Sequence, residues 1–507
     1  MSRFSPSEQR FLQDVSDLVY CNPFSSKRTQ LERRALGQEW ADEGRFWSME
    51  VDDPNRPRRN AWRIHEKIER RLDVWREAAL HAQTGSRERR LYQDAVLHLL
   101  YYRYSGLFWE AAFGSRNQEP DRWHFYRDFE DDWKKLLGDL VANLPLGMGA
   151  AHIFALFFQI HRAFFHIFRR IIGNSPGAAD LRAAVWESIF TCDLRRYRNS
   201  LFDRMGQFAA LITGPSGTGK DLVAQAIGLS RFLPFDSRRQ TFPDQNKGLY
   251  LAINLAALSP ALIESELFGH CKGAFTGALN DRRGRLESCP ARGCIFLDEI
   301  GDLDGEIQVK LLRVIENRAF QRVGESTDRE FKGKLIAATN VDLAEAIERG
   351  QFREDLYFRL CSDRIAMPSL ADQLGQEPEL LEELVSYMAR RVAGEASQDL
   401  VAQSVSWIRS NLGDDYPWPG NFRELDQCVR NILIRGRYLP LRLSRNPREG
   451  FQRRFESCRL SAEEVLKHYC TLTYSKTGSY SAAARRLSLD RRTVKAKIDP
   501  KLLKSLS

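Results

Sequence analysis

Through the first third of the chain, charged stretches alternate with aromatic residues at helical spacing, most clearly over 62–79 and 87–113. NPFSS, DDPNRPRR, GSRNQEPD and LPLGMG punctuate these stretches with turn-forming residues, which predicts a mostly helical segment over 1–168. The most apolar run, 144–168, places aromatic or His residues at 154, 157, 158, 161, 164, 165 and 168, one face of a helix. Gly147, Gly149, His152, Gln159, His161, Arg162 and His166 interrupt it, so a buried or partner-facing helix is expected rather than a membrane span. Asp52 and Asp53 have no apolar strand before them and read as a solvated turn. From Ile171 the texture changes. Short apolar runs (AALIT, LYLAINLA, CIFLDEI, KLIAATN) alternate with helical segments, the pattern of a parallel sheet covered by helices. A helical stretch follows over 371–437, then an Arg-, Pro- and Gly-rich linker over 438–458 and a compact helical unit over 459–507.

One turn in the sheet-forming part carries chemistry. Gly214-Pro215-Ser216-Gly217-Thr218-Gly219-Lys220 follows ALIT and precedes the helical run Asp221-Leu222-Val223-Ala224. Strand, glycine loop and helix in that order turn backbone N–H groups toward phosphate oxygens, and Lys220 reaches the outer phosphates. Asp221 replaces the usual hydroxyl residue after the lysine. Downstream, Cys294-Ile295-Phe296-Leu297 is an apolar strand ending in Asp298 and Glu299. In-line phosphoryl transfer needs a carboxylate to organise magnesium, here Asp298, and one to polarise the attacking water, here Glu299. A third strand, 335–340, ends in Asn340, a polar group suited to sensing the γ-phosphate. These residues read as an ATPase using ATP and Mg2+.

Gly273-Ala274-Phe275-Thr276-Gly277-Ala278 stands between ELFGH (266–270) and the Asp298–Glu299 strand, and GQFREDLYFRL (350–360) and WPGNFREL (418–425) follow in order. In these motifs the chain resembles the AAA+ domain of sigma-54-dependent transcriptional activators, the bacterial enhancer-binding proteins, over 171–435 and again near the C-terminus. The fold this implies is multidomain, α and α/β. It comprises a helical regulatory domain (1–168), an AAA+ α/β P-loop ATPase domain (171–367), its helical lid (368–437), the linker, and a Fis-type helix-turn-helix (459–507). The resemblance implies that the GAFTGA residues, Gly273 to Ala278, form a loop tip touching sigma-54, with Phe275 and Thr276 as the working pair. It implies that Asn254 restrains the catalytic Glu299, and that Arg353 and Arg359 are offered to a neighbour's nucleotide. Arg423 matches the sensor arginine of the lid. Arginines offered in trans need a ring, expected to be a hexamer, with a dimer when inactive. Asp221, Leu255 and Arg292 depart from the family pattern, and so does SLADQLGQEPE after Pro368. The segment before the glycine loop, containing Arg195-Arg196-Tyr197-Arg198, is longer than usual.

Composition and charge add the last part. The chain has 507 residues, 43% hydrophobic and 28% charged, which excludes a disordered tail, a collagen-like fibre and a small disulfide scaffold. Its formal charge is +9, yet residues 459–507 hold eleven Lys or Arg against four Asp or Glu, a net of +7. That end predicts helices over 462–470, 481–487 and 491–498 around Ala483, Leu487, Leu489, Val494 and Ile498. Arg491, Arg492, Thr493, Lys495 and Lys497 are then expected to face DNA. Nine scattered cysteines without a CxxC pair predict free thiols in a reducing compartment. The start, MSRFSPSEQRFLQDV, lacks the pattern of a secretory signal, so a cytoplasmic protein is expected. The functional expectation is an activator that binds upstream promoter or enhancer DNA and uses ATP hydrolysis in a ring to remodel sigma-54 RNA polymerase holoenzyme into the open complex. Two rivals are an AAA+ DNA-bound remodeller of another client and a passive DNA-binding repressor with a degenerate ATPase domain. The GAFTGA loop argues against the first, and the complete set of phosphate, magnesium, water and trans-arginine residues against the second. Nothing over 1–168 specifies a signal.

Overall fold

The computed structural model describes residues 4–44, 58–81, 84–113, 122–138, 140, 149–243, 250–394, 397–440, 455, 460–499 and 502–503. The turn at Asp52 and Asp53 and most of the 438–458 linker lie outside the described residues. The chain divides into two compact units, Met1–Arg437 and Tyr438–Ser507.

The first unit opens with α1 (Pro6–Tyr20), α2 (Ser26–Leu36), α3 (Arg59–Leu80), α4 (Ser86–Phe113), α5 (Tyr126–Leu137) and α6 (Ala150–Arg170). Helix α1 starts on a capping box: Ser5 and Glu8 satisfy each other's backbone N–H groups, worth about 1 kcal/mol. Helix α3 buries Ile64, Ile68, Leu72, Trp75 and Ala79 along one stripe. Helix α6 is long and apolar enough to cross a membrane by length and composition, but most of it is buried inside the fold. Its phenylalanines 154, 157 and 158 are each at most 5% exposed.

Helix α7 (Pro176–Phe190), capped by Ser175, and the single turn α8 (Leu194–Arg196), capped by Asp193, lead through a π-helical turn at Tyr197–Leu201 into the sheet. Its strands are β1 (Ala210–Thr213), β2 (Tyr250–Asn254), β5 (Cys294–Asp298), β8 (Lys334–Thr339) and β9 (Arg364–Ala366), all parallel, in the order β2-β5-β8-β1-β9. Two antiparallel ribbons, β3 (Gly269–His270) with β4 (Arg282–Arg283) and β6 (Ala319–Phe320) with β7 (Arg329–Glu330), stand apart from it. Helices α9 (Lys220–Gly228), α10 (Pro260–Phe268), α11 (Arg285–Ser288), α12 (Gly305–Asn317), α13 (Leu343–Glu348) and α14 (Glu354–Leu360) connect these strands. Helices α15 (Leu370–Gln376), α16 (Leu380–Ala393), α17 (Ser397–Asn411) and α18 (Asn421–Arg435) follow β9.

Alternation along the strands sends side chains to two cores. Leu211, Ile295, Leu297 and Leu335 pack with Leu267, Leu311 and Leu356 of α10, α12 and α14. Ile212, Phe296, Ile336 and Ala338 join a second cluster with α9, which runs unbroken through Phe158, Phe129, Leu99, Ile68 and Leu12. The front third therefore closes no core of its own. Its apolar interior is completed by one face of the sheet.

In the second unit, helices span Ala462–Thr477, Tyr480–Leu487 and Arg491–Ala496. The first runs past the predicted end at residue 470 to a left-handed cap at Gly478, φ 64°, with the Thr471 and Thr473 hydroxyls each donating to the carbonyl four residues back, at 2.8 Å. The third stops before Lys497; the Asp499 N–H turns to the Thr471 hydroxyl at 2.9 Å. Ala483, Ala484 and Val494 are buried, with Leu487 and Leu489 partly so. The described cysteines are all free.

Candidate active site

Parallel register brings the carboxyl ends of the central strands into line, with Asn254 beside Asp298 and Thr213 beside Thr339. The glycine loop leaves β1 at that edge, beside the crevice where open α/β sheets hold ligands. Gly217 sits at φ 77°, and a Cβ added there would lie 2.2 Å from the Gly420 carbonyl oxygen. Only glycine allows that approach of the α18 segment to the loop. Pro215 and Ser216 are exposed, while Thr218 is buried and donates to the Pro215 carbonyl at 2.8 Å. Lys220 is buried at the start of α9, its Nζ donating to the carbonyls of Gly214 (3.0 Å) and Pro215 (3.3 Å). Burial holds its pKa below the usual lysine range, against the opposing pull of Glu299 and Asp298. Asp221, exposed in the first turn of α9, complements the helix dipole there.

The two carboxylates face this lysine at the end of β5. Burial, then the neighbouring Glu299 charge, raises the Asp298 pKa, with Lys220 opposing. Glu299 leaves the strand in the left-handed region, φ 57° and ψ 52°, a backbone state that costs energy in a non-glycine residue. Its Oε2 accepts from the Asn340 backbone N–H at 3.3 Å, so the acid and the end of β8 are in direct contact. The Asn254 amide lies 3.5 Å from Asp298 Oδ2. The resemblance implied a restraint on Glu299; the strand register instead sets Asn254 opposite Asp298.

Arg423, in the first turn of α18, stands beside Gly217 and close enough to Lys220 to disfavour its charge. Asn421 was quoted in the sequence without a role. It is buried at φ 51°, its amide donating to the Ser216 carbonyl (2.9 Å) and accepting from the Leu370 N–H (2.9 Å). One side chain thus ties the glycine loop to two helices that follow the sheet. Its signal was the type: asparagine tolerates the left-handed region better than most residues. Arg353 and Arg359 are exposed and ion-paired with Asp355 (2.7 Å) and Glu316 (2.8 Å). Gln308, fully buried, fixes the Arg353 backbone N–H at 2.8 Å.

The GAFTGA residues form a tight loop above the β3–β4 ribbon. Gly273 and Gly277 have φ of 83° and 103°, and the Gly273 N–H donates to the Ala278 carbonyl at 2.9 Å, closing the loop. Ala278 is buried beneath it, Phe275 is 47% exposed and Thr276 is exposed. The Phe275 ring rests edge-on against His270, whose Nδ1 meets the buried Ser265 hydroxyl at 2.8 Å. Under the loop, Cys271 and Gly269 exchange backbone hydrogen bonds with Val323 of the β6–β7 ribbon. Glu287 then clamps both ribbons through Arg322 (2.7 Å), Arg329 (3.2 Å) and Arg283 (3.5 Å). A rigid base carries an exposed aromatic tip.

Residues 197–366 match the family described as the sigma-54 interaction domain. Over that span the chain is similar to this domain family. The transcriptional regulatory protein ZraR of Klebsiella oxytoca is 40% identical over 296 residues, covering 57% of this chain and 62% of that protein. HyfR of Escherichia coli strain K12, described as a DNA-binding transcriptional activator, is 41% identical over 239 residues, covering 46% of this chain and 32% of its own. The chain thus spans less than two thirds of the length of these relatives. NtrX from Brucella abortus aligns at a TM-score of 0.39 and 24% identity, over 71% of this chain and 76% of that one. The match begins at Tyr197, in the π-helical turn before the sheet, and ends at Ala366 in β9.

Beyond this domain, the basic unit exposes Arg491, Arg492 and Lys495 on its last helix, with Thr493 half-buried. Lys497 lies just past that helix and pairs with Glu463 at 2.7 Å, so it is held on the first helix of the unit.

Proposed function

We propose that this protein is an ATP-driven activator of sigma-54 RNA polymerase, carried by one observation: a phosphate-binding crevice and an exposed Phe275 loop on the same sigma-54 interaction domain. Glycine-loop N–H groups and Lys220 hold the phosphates. Glu299 orients and deprotonates the attacking water; Asn340, bonded to it, reports whether a γ-phosphate is present. Asp298 and Glu299, crowded and partly desolvated, suit a divalent cation. Among the described residues no group of three or more His, Cys, Asp or Glu could hold one alone, so phosphates and water would complete its shell, as magnesium prefers. That ion would neutralise charge on the phosphates.

Arg359, with Arg353, is the group offered to the adjoining subunit's nucleotide in a hexameric ring, and Arg423 senses the nucleotide from the lid. Each turnover repositions the 273–278 loop, whose Phe275 and Thr276 grip sigma-54. Residues 459–507 hold the assembly on upstream DNA through Arg491, Arg492 and Lys495, salt-sensitive contacts to phosphate that place the unit for base reading. The setting is cytoplasmic. The test is Lys220→Ala in purified full-length protein: ATP turnover and promoter opening should both vanish while DNA binding persists. Promoter opening at the wild-type rate would refute the mechanism.

A further inference from the structure

Between α1, α4, α6 and α7 in the front third lies a cavity of about 190 Å³, lined mainly by apolar and aromatic side chains. A dry apolar cavity of about 150 Å³ suffices to bind benzene, so this space takes a compact molecule of slightly greater size. Its wall carries one imidazole with nothing to bond. His98 is 5% exposed, and neither ring nitrogen has a hydrogen-bond partner among the described residues. Burial pushes the His98 pKa down to about 3, so the ring is neutral and offers one donor and one acceptor. Of the charged groups at the wall, Arg198 donates to the Tyr20 hydroxyl at 2.7 Å, and the Arg28 charge is balanced by Glu32 at 3.7 Å, although the buried Arg28 Nε and Nη2 make no hydrogen bond among the described residues. Glu32 and the buried Asp94 behind Tyr20 would repel an anion.

We propose that this cavity is a binding site for a small uncharged alcohol with a compact apolar body, its hydroxyl meeting His98. A hydroxyl can donate to or accept from a neutral imidazole, whereas a hydrocarbon leaves both nitrogens bare. The site also has a route to the sheet. Tyr20 and Arg198 line it, and Arg198 belongs to the segment leading into β1. Helix α6, another of its walls, bonds the chain end of the glycine-loop helix through Gln159 to the Ser230 carbonyl (2.8 Å) and Arg162 to the Arg231 carbonyl (3.1 Å). Binding itself does not depend on the proposed function.

The experiment is calorimetric titration of the full-length protein with three cyclohexyl probes: cyclohexanol, its isostere methylcyclohexane, and the charged cyclohexanecarboxylate. Cyclohexanol should bind with a Kd below about 1 mM and about tenfold tighter than methylcyclohexane, with the carboxylate weakest. His98→Leu should erase the preference for the alcohol while methylcyclohexane still binds. Ser105→Phe, which fills the cavity from α4, should abolish binding of all three, with melting curves reporting whether each variant is folded. No binding of any probe, tightest binding of the carboxylate, or an alcohol preference unchanged in folded His98→Leu would overturn the proposal.

Discussion

The carboxylate of Asp94 is the most exacting polar contact between the front helices and the segment that leads into the sheet. It is 1% exposed, accepts from Ser16 (2.8 Å) and Arg195 (2.6 Å) on one oxygen, and from Tyr20 (2.6 Å) on the other. Arg195 also stacks over the Tyr20 ring at 4.1 Å. Removing one partner of a buried ion pair costs about 3–5 kcal/mol. Here Arg195 is 27% exposed and two neutral donors remain, so Arg195→Ala should cost less, about 2–3 kcal/mol. Asp94→Asn keeps the shape, removes the charge and should cost about 1–2 kcal/mol, because Arg195 can turn to solvent. If the two act as a pair, the double variant loses less than the sum, by about 1.5 kcal/mol. Denaturant unfolding of the four proteins, followed by tryptophan fluorescence with equal m-values required, measures that coupling. Losses that add within about 0.5 kcal/mol would refute the pairing.

Thr276→Ala should leave ATP turnover within about twofold, since the residue is exposed and remote from Lys220 in sequence, yet abolish promoter opening. A transcription assay alongside phosphate release checks this; unchanged transcription would remove the loop from the mechanism. Gly217→Ala puts a methyl group against the Gly420 carbonyl at positive φ, and should weaken ATP binding at least about tenfold by calorimetry. His161 is buried beside Tyr101 and Phe108, its pKa pushed down to about 4 by desolvation. The unfolded chain takes up that proton first, so stability present above about pH 6.5 falls as pH drops toward 4. His161→Phe should therefore lose about 2 kcal/mol less than wild type between pH 7 and 5, read from denaturation midpoints.

The glycine loop and the Asp298–Glu299 strand end were legible because their chemistry dictates residue types at fixed short spacing, whereas the GAFTGA loop was legible only through the family resemblance. Arg195 to Arg198 read only as a departure from the family pattern. In the structure Arg195 holds Asp94, Arg198 holds Tyr20, and the Tyr197 hydroxyl meets Gln159 at 2.9 Å. Those partners lie far away in sequence, and nothing local about a basic run distinguishes a solvated face from a docked one. Asn421 was hidden for a related reason: its role appears only when α18 meets the glycine loop. Asn254 was expected to restrain Glu299 by the family pattern, while the strand register sets it opposite Asp298.

The unbroken core also decides how a regulatory role for residues 1–168 can be tested. Helix α6 lies on α9, the helix that carries Lys220, and Val223, Ala224 and Ile227 of α9 share its apolar cluster. A chain beginning near Phe168 would strip away Phe154, Phe157 and Phe158, each worth about 2 kcal/mol when buried, and leave their neighbours in water. That sum, about 6 kcal/mol, rivals the whole stability of an ordinary domain. Loss of ATP turnover on truncation would then report a damaged sheet face rather than a lost stimulus, and only a gain would be interpretable. Substitutions that keep the core filled, at Asp94 or Arg195, separate the two meanings, because each alters a polar link between the front helices and the segment leading into the sheet while the apolar contact stays.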